Sequence, residues 1–361
     1  MPRPLVLYVH PSWRREGMYS PLMFPFWGNP TSEDSLFSKE LFDSYPFNVS
    51  DYQITDDISK AEMVFTPFRH QWLLVHDLAL LEECAKAAKS ASLPLLVDGL
   101  GDIETPLTIE NSYILRLGGY RFMPEPNKVQ LPPGADDLLE RCKGSVLELR
   151  TKEEGSQPVV AFAGWSHLSV KQRVKTYVKE LPIRFLSIFD SRYKTMRKGV
   201  WWRERAVRIL QRSTKIECNF LLRSSFSGSS KTAEYDLRKM REEFVGNLLQ
   251  SDYGLCIRGD GNASTRLFET LSLGRIPVIL DTECIFPFSD LVDYSAFSLK
   301  VDFRDIALLP DKIAAFHNSL TAEQFEDMQR AARAAFVTYF RPDVMMPHII
   351  HELTTLGALR R

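Results

Sequence analysis

"SDYGLCIRGDGNASTRLFETLSLGRIPVILD", residues 251–281, passes from an apolar segment through a glycine-rich polar turn into a short amphipathic stretch and a second apolar run. The pattern predicts strand, turn, helix, turn, strand. "YGLCI" and "IPVIL" are apolar throughout, as parallel strands covered on both faces must be. "TRLFETLSL" reads as a helix with Ser264 or Thr265 as its N-cap and Gly274 as its stop. The turn "RGDGNAS" then lies at the carboxyl end of a buried strand, where open α/β sheets bind ligands. Gly259 and Gly261 let a ligand approach the main chain, and a helix start offers free N–H groups and a positive dipole end to an anion. Arg258 and Arg266 add fixed charge suited to a diphosphate, and Asn262, Ser264 and Thr265 add small polar groups. Glu269 follows Arg266 by three residues and shares its face. It would repel phosphate but accept hydrogen bonds from a ribose diol. The plainer alternative is an Arg266–Glu269 surface ion pair contributing ~0.2–0.5 kcal/mol.

Outward from this stretch, apolar β-branched runs alternate with helical periodicity along the whole chain, which predicts parallel sheets flanked by helices. In the first half, strands are expected at 5–10, 62–68, 93–99 and 112–118, with a helix in "WLLVHDLALLEECAKAAKSA". Residues 121–135 hold four prolines and read as an extended connection. "RTKEEGSQP", 150–158, is polar and aperiodic, a natural boundary. The pattern restarts with "VVAFAGW" at 159–165 and continues through "CNFLLRSS", "DYGLCIRG", "IPVILD" and "FSLKV". "TAEQFEDMQRAARAAFVTYF" is a helix with a Thr321/Gln324 capping box, ended by Arg341-Pro342. The expected organisation is a first α/β domain over 1–152, a second over 153–340, and a segment over 341–361 that packs back on the first. The crevice between the domains is then the natural site.

Composition narrows the function classes. A chain of 361 residues with 44% hydrophobic and 25% charged content is globular, and its formal net charge of −1 gives no global attraction to nucleic acid. The five cysteines are scattered and include no CxxC pair, as expected for reduced thiols rather than a zinc site. The opening apolar run is too short for a signal-peptide core, and no segment approaches the length of a membrane span. A cytoplasmic setting is the resulting expectation. The sequons at Asn48 and Asn262 and the "RGD" at 258–260 read as coincidences in such a protein.

The 251–281 stretch resembles the exostosin family of glycosyltransferases, which carry a similar strand, an Arg or Pro with Gly, a Ser-Arg-Phe-like helix start, a Glu and "GxIPV". Further similar pieces are "ISKAEMVFTPF" (58–68), "VVAFAGW" (159–165) and "CIFPFSDLVDYSAFSLKV" (284–301). The resemblance extends over roughly 45–340 and is specific between about 250 and 301. It implies the GT-B architecture: two Rossmann-like α/β domains facing a central cleft, with a C-terminal helix crossing back to the first. It also implies a nucleotide-sugar donor, a UDP-sugar above all, held by Arg258, Ser264, Arg266 and Glu269. The second glutamate of many retaining GT-B enzymes is replaced by Gly261, which favours inversion. The implied setting is cell-surface polysaccharide assembly, such as lipopolysaccharide or capsule, at the inner membrane face.

Inverting transfer needs a base for the acceptor hydroxyl and positive charge on the leaving diphosphate. No D-x-D occurs, so the expected donor site works without metal. Candidate bases at first-domain strand ends are His10 and Asp102, with Asp98 beside the latter; each has a structural alternative as a capping group. A second feature is "RYKTMRKGVWWRERAVRILQRSTK", 192–215, with nine Lys/Arg and one acid. Arg197, Lys198, Trp201, Trp202, Arg203 and Arg205 form a candidate patch for a charged or lipid-linked glycan acceptor or for peripheral membrane contact. The alternative is a solvated helix whose apolar side packs on the core. Two rival functions are a non-catalytic sugar- or nucleotide-binding scaffold and a nucleotide-cofactor oxidoreductase. The second would need a GxGxxG that neither glycine-bearing strand end supplies.

Overall fold

The computed structural model describes residues 3–32, 35–102, 105–225 and 236–359. Six strands form the first sheet: β1 (Leu5–Tyr8), β2 (Tyr52–Thr55), β3 (Met63–Arg69), β4 (Leu95–Asp98), β5 (Ser112–Arg116) and β6 (Lys128–Gln130), ordered β2-β1-β3-β4-β5-β6. Five form the second: β7 (Val159–Trp165), β8 (Glu217–Arg223), β9 (Tyr253–Cys256), β10 (Ile276–Asp281) and β11 (Leu299–Asp302), ordered β11-β10-β9-β7-β8. Every adjacent pair in both sheets is parallel. β4, β5 and β9 are buried along their whole length, as their unbroken apolar runs require. The chain is therefore built of two Rossmann-like α/β domains.

Each sheet has one place where the strand order reverses. In the second sheet this switch point lies between β7 and β9, so the loop after β9 opens at the crevice that α/β folds use for ligands. Register there is fixed by apolar pairs across the central strands, Leu255 opposite Val278 and Cys256 opposite Ile279.

Helix 322–335 begins with the expected capping box, Thr321 and Gln324 exchanging side-chain and backbone bonds. It ends in one wide i→i+5 turn, Phe336–Phe340, that buries Phe336 and Phe340. After Pro342, helix 346–355 reaches the edge of the first sheet, where Gln130 N donates to Glu352 Oε2 at 3.3 Å. The lobes share one apolar cluster: Leu7, Phe65 and Leu96 are continuous with Leu267, Phe268, Phe288, Phe340 and Met346. A second cluster around Trp202, Tyr253 and Phe325 fills the far side of the second sheet. Among the described residues, no helix is long and apolar enough to cross a membrane.

Candidate functional site between the two lobes

The loop after β9 leads into helix 265–272, the helix anticipated in the sequence. Ser264 occupies the N-cap position, but its hydroxyl donates to Ile257 O at 3.4 Å instead of capping the first N–H groups. Gly259 N closes the loop on Ala263 O at 3.1 Å. Leu267, Phe268 and Leu271 turn into the shared core, which leaves Thr265, Arg266 and Glu269 on the other face. The opposite lobe meets this loop directly: a Cβ on Gly261 would lie 2.9 Å from Asp102 Oδ1.

Three guanidinium groups converge here. Arg266 runs beneath β7, donating to Ala163 O at 2.6 Å and lying over the Phe162 ring. Its passage depends on Gly164, where a Cβ would sit 2.7 Å from Arg266 Nη2. Arg203, from helix 199–211, reaches the β7 and β9 ends with long bonds to Trp165 O and Ile257 O, 3.5 and 3.4 Å. Arg258 is the third. Among the described residues none of the three forms an ion pair. Arg203 Nε and Arg266 Nε and Nη1 are enclosed yet lack hydrogen-bond partners, a costly arrangement for charged donors. Burial first, and then the charge of Arg266, pushes Arg203 down to about 9. Burial also lowers Arg266, opposed by Cys256 and Glu269. Such a cluster is matched to an anion with several oxygens.

Arg258 differs from the other two in being fully engaged. Its Nη1 donates to Tyr120 Oη and Thr195 O, both at 2.5 Å, its Nη2 to Asp260 O and its Nε to Gly259 O. Through these bonds the arginine expected on a phosphate also holds the loop to both lobes. Asn262 behaves likewise: buried, it donates to Gly119 O and Thr282 O and accepts from Thr282 Oγ1. Its burial also closes the second sequon to any modification.

Glu269 pairs with Arg241 rather than Arg266, so the i,i+3 surface pair weighed from sequence does not form. Arg241 in turn stacks on Phe37 of the first lobe at 4.0 Å. One carboxylate oxygen of Glu269 is thus engaged and the other remains an acceptor.

The candidate bases separate clearly. His10 is exposed, but its Nδ1 is held by Ser12 Oγ at 2.6 Å and caps the turn 11–13. Asp98 is fully buried, accepts from Leu100 N at 2.8 Å and has its pKa raised by that burial against the lowering charge of Arg69. No acceptor hydroxyl can reach it. Asp102 is exposed and stands against the loop at Gly261.

The basic-aromatic patch is rearranged too. Trp202 is buried in the second core and Trp201 packs edge-on against it, so Trp202 offers nothing to a membrane or an acceptor. Arg197 lies 3.6 Å over Trp201 and bonds Glu180, while Arg205 flanks the same ring at 5.4 Å. Lys198 sits over Trp165 at the end of β7. Arg203 leaves the patch for the switch point. Its turn inward was readable: it shares a face with Gly199, Trp202, Ala206, Val207 and Leu210, the buried side of helix 199–211. That helix comes close enough for a Cβ on Gly199 to fall 2.1 Å from Gly259 O.

Residues 204–315 match the exostosin GT47 domain. A curated relative, the Exostosin-1 homolog of Caenorhabditis elegans, is 29% identical over 118 residues, which are 32% of this chain and 29% of the relative's length. The chain thus spans under a third of that relative. Among solved structures, a glycosyltransferase from Rickettsia africae aligns over 91% of this chain and 83% of its own at 11% identity, with a TM-score of 0.37. A pneumococcal O-GlcNAc transferase, solved with UDP and GlcNAc, aligns over 82% and 56% at 10% identity and a TM-score of 0.32. Likenesses at that level say nothing about the chemistry of this chain. The family match bears on the site, because it includes β9, the loop after it and the helix that carries Arg266: over residues 204–315, in the second lobe, the chain is similar to the exostosin GT47 domain.

Proposed function

We propose that the protein is an inverting glycosyltransferase that takes a sugar from a nucleotide-diphosphate donor, a UDP-sugar in the first instance, to a glycan acceptor. The carrying observation is the pair Arg203 and Arg266, enclosed at the switch point with unpartnered N–H groups and, among the described residues, no ion pair. In this reading the two guanidiniums and the first N–H groups of helix 265–272 hold the diphosphate, with Gly259, Gly261 and Thr265 shaping its seat. The free oxygen of Glu269 receives the ribose, while Arg258 and Asn262 keep the loop in place. Asp102 takes the proton of the acceptor hydroxyl as that oxygen bonds the anomeric carbon. The bond to the diphosphate breaks on the opposite face, and the negative charge that develops there is met by Arg203 and Arg266. The side chains supply this stabilisation by themselves, so the reading needs no metal. Arg197 and Lys198, at the mouth beside Trp165, suit an acceptor bearing acidic or phosphate groups. A place in cell-surface polysaccharide assembly fits such an acceptor.

The test is calorimetric titration with UDP, GDP and CMP, followed by turnover of a panel of nucleotide sugars read as released nucleoside diphosphate. Asp102→Asn should leave nucleotide affinity unchanged and lower turnover by ~10²–10⁴-fold, the usual contribution of a positioned base. Absence of both nucleotide binding and turnover in the wild type would refute the proposal.

A further inference from the structure

Immediately beyond β7 the chain forms two helices, 170–179 and 181–189, that contribute no buried residue to either core. Their apolar side chains are nevertheless large and organised. On the first helix Val170, Val174, Tyr177 and Val178 are exposed at spacings that place them on one face. On the second, Leu181, Phe185, Leu186, Ile188 and Phe189 do the same, with Ile188 and Phe189 each 76% exposed. Water is an unfavourable neighbour for so much contiguous apolar surface, and such a patch on a globular protein marks a contact.

The charge around it identifies the occupant. Between residues 170 and 198 there are nine Lys/Arg and two acids, in a chain whose net charge is −1. Both acids are already engaged: Glu180 pairs with Arg184 and Arg197, and Asp190 with Arg192. Lys171, Lys175 and Lys179 follow at i,i+4 intervals along the edge of the apolar face. Arg184 lies over Tyr177 at 4.3 Å and ties the two helices together. The exposed surface is thus apolar in the middle, cationic at its border and without a free carboxylate. Each helix is far too short to span a bilayer.

We propose that this helical pair docks the protein on an anionic phospholipid surface, its phenylalanines and aliphatic side chains entering the headgroup boundary and its lysines meeting lipid phosphates. Short amphipathic helices with Phe, Leu and Ile on one side and Lys on the other bind bilayers in this way. The site differs from the 192–215 patch singled out in the sequence, whose Trp202 is buried. It does not depend on the glycosyltransferase reading, because no residue of it belongs to the donor site. Its position four residues after β7 would bring the mouth of the interlobe crevice to the lipid plane.

Cosedimentation of the full chain with vesicles tests this. The wild type should pellet with phosphatidylcholine–phosphatidylglycerol vesicles, bind pure phosphatidylcholine far less, and be released as salt rises. Phe185→Asp with Phe189→Asp should abolish pelleting. Lys171→Glu, Lys175→Glu and Lys179→Glu together should weaken it by roughly five-fold or more per lysine. All five positions lie outside both cores, so unchanged melting temperatures are expected. Wild-type protein that stays in the supernatant with anionic vesicles overturns the proposal. Equal binding by the aspartate double variant overturns it as well. So does wild-type self-association that the double variant loses while vesicle binding is absent, which would make the face a contact between copies of the chain.

Discussion

Arg266 illustrates how far a residue's role can be read before its surroundings are known. Its position, two residues into a helix after a glycine-bearing turn, is a local pattern suited to a phosphate, and the role proposed for it starts from that pattern. Arg258 looks equally suitable in sequence, yet its partners Tyr120 and Thr195 lie far away along the chain, so no local pattern could reveal that it also holds the loop to both lobes. Asp102 stood among several strand-end candidates, and only the meeting of two lobes at Gly261 separates it from His10 and Asp98. The contrast between the arginines makes a prediction. Arg266→Ala should weaken nucleoside-diphosphate binding by ~1.5–3 kcal/mol in calorimetry, as expected for a lost charged hydrogen-bonding group. It should barely lower the melting temperature, since it removes a buried cation that, among the described residues, has no ion-pair partner. A large fall in melting temperature with nucleotide affinity intact would make Arg266 a structural residue.

Elements were legible in proportion to their length and burial. β7 and β10 appear at the residues their apolar runs announced, 159–165 and 276–281, and helix 322–335 begins at its capping box. β2 and β6 escaped. β2 has four residues of mixed burial, and β6 has three, set among prolines and paired with β5 at the edge of the sheet. Neither carries enough periodicity to be distinguished from a loop. The seat of helix 199–211 on the loop after β9 was equally hidden, because it rests on the absence of a side chain at Gly199. Gly199→Ala would force its methyl into Gly259 O, and overpacking of this kind costs ~1–3 kcal/mol. Thermal denaturation should show that loss, and nucleotide affinity should fall with it because the loop is displaced. Loss of stability with unchanged affinity would separate the helix from the site.

At the scale of the molecule, helix 346–355 closes the architecture, and Glu352 is its sensitive point. Burial first, with a further contribution from Asp290, pushes this carboxyl up to about 7, against the lowering effect of the Gln130 and Phe288 N–H groups. A carboxyl with a raised folded-state pKa binds its proton more tightly when folded. Its stabilisation is full below the ordinary glutamate range and is lost as pH rises through about 7. Glu352→Gln, which keeps the acceptor for Gln130, should therefore melt higher than wild type above neutrality. The two should converge in mild acid, with a difference of ~1–2 kcal/mol at the alkaline end after allowing for partial solvation. Equal melting at every pH would show that the carboxyl is solvated. The apolar cluster running through both lobes has a practical consequence for engineering. A chimera that joined this chain's first half to a relative's second half would set Phe268, Phe288 and Phe340 of one parent against surfaces shaped for another. On the glycosyltransferase reading proposed above, altered donor preference is better sought by transplanting the short segment 257–266 into an otherwise intact chain than by exchanging halves.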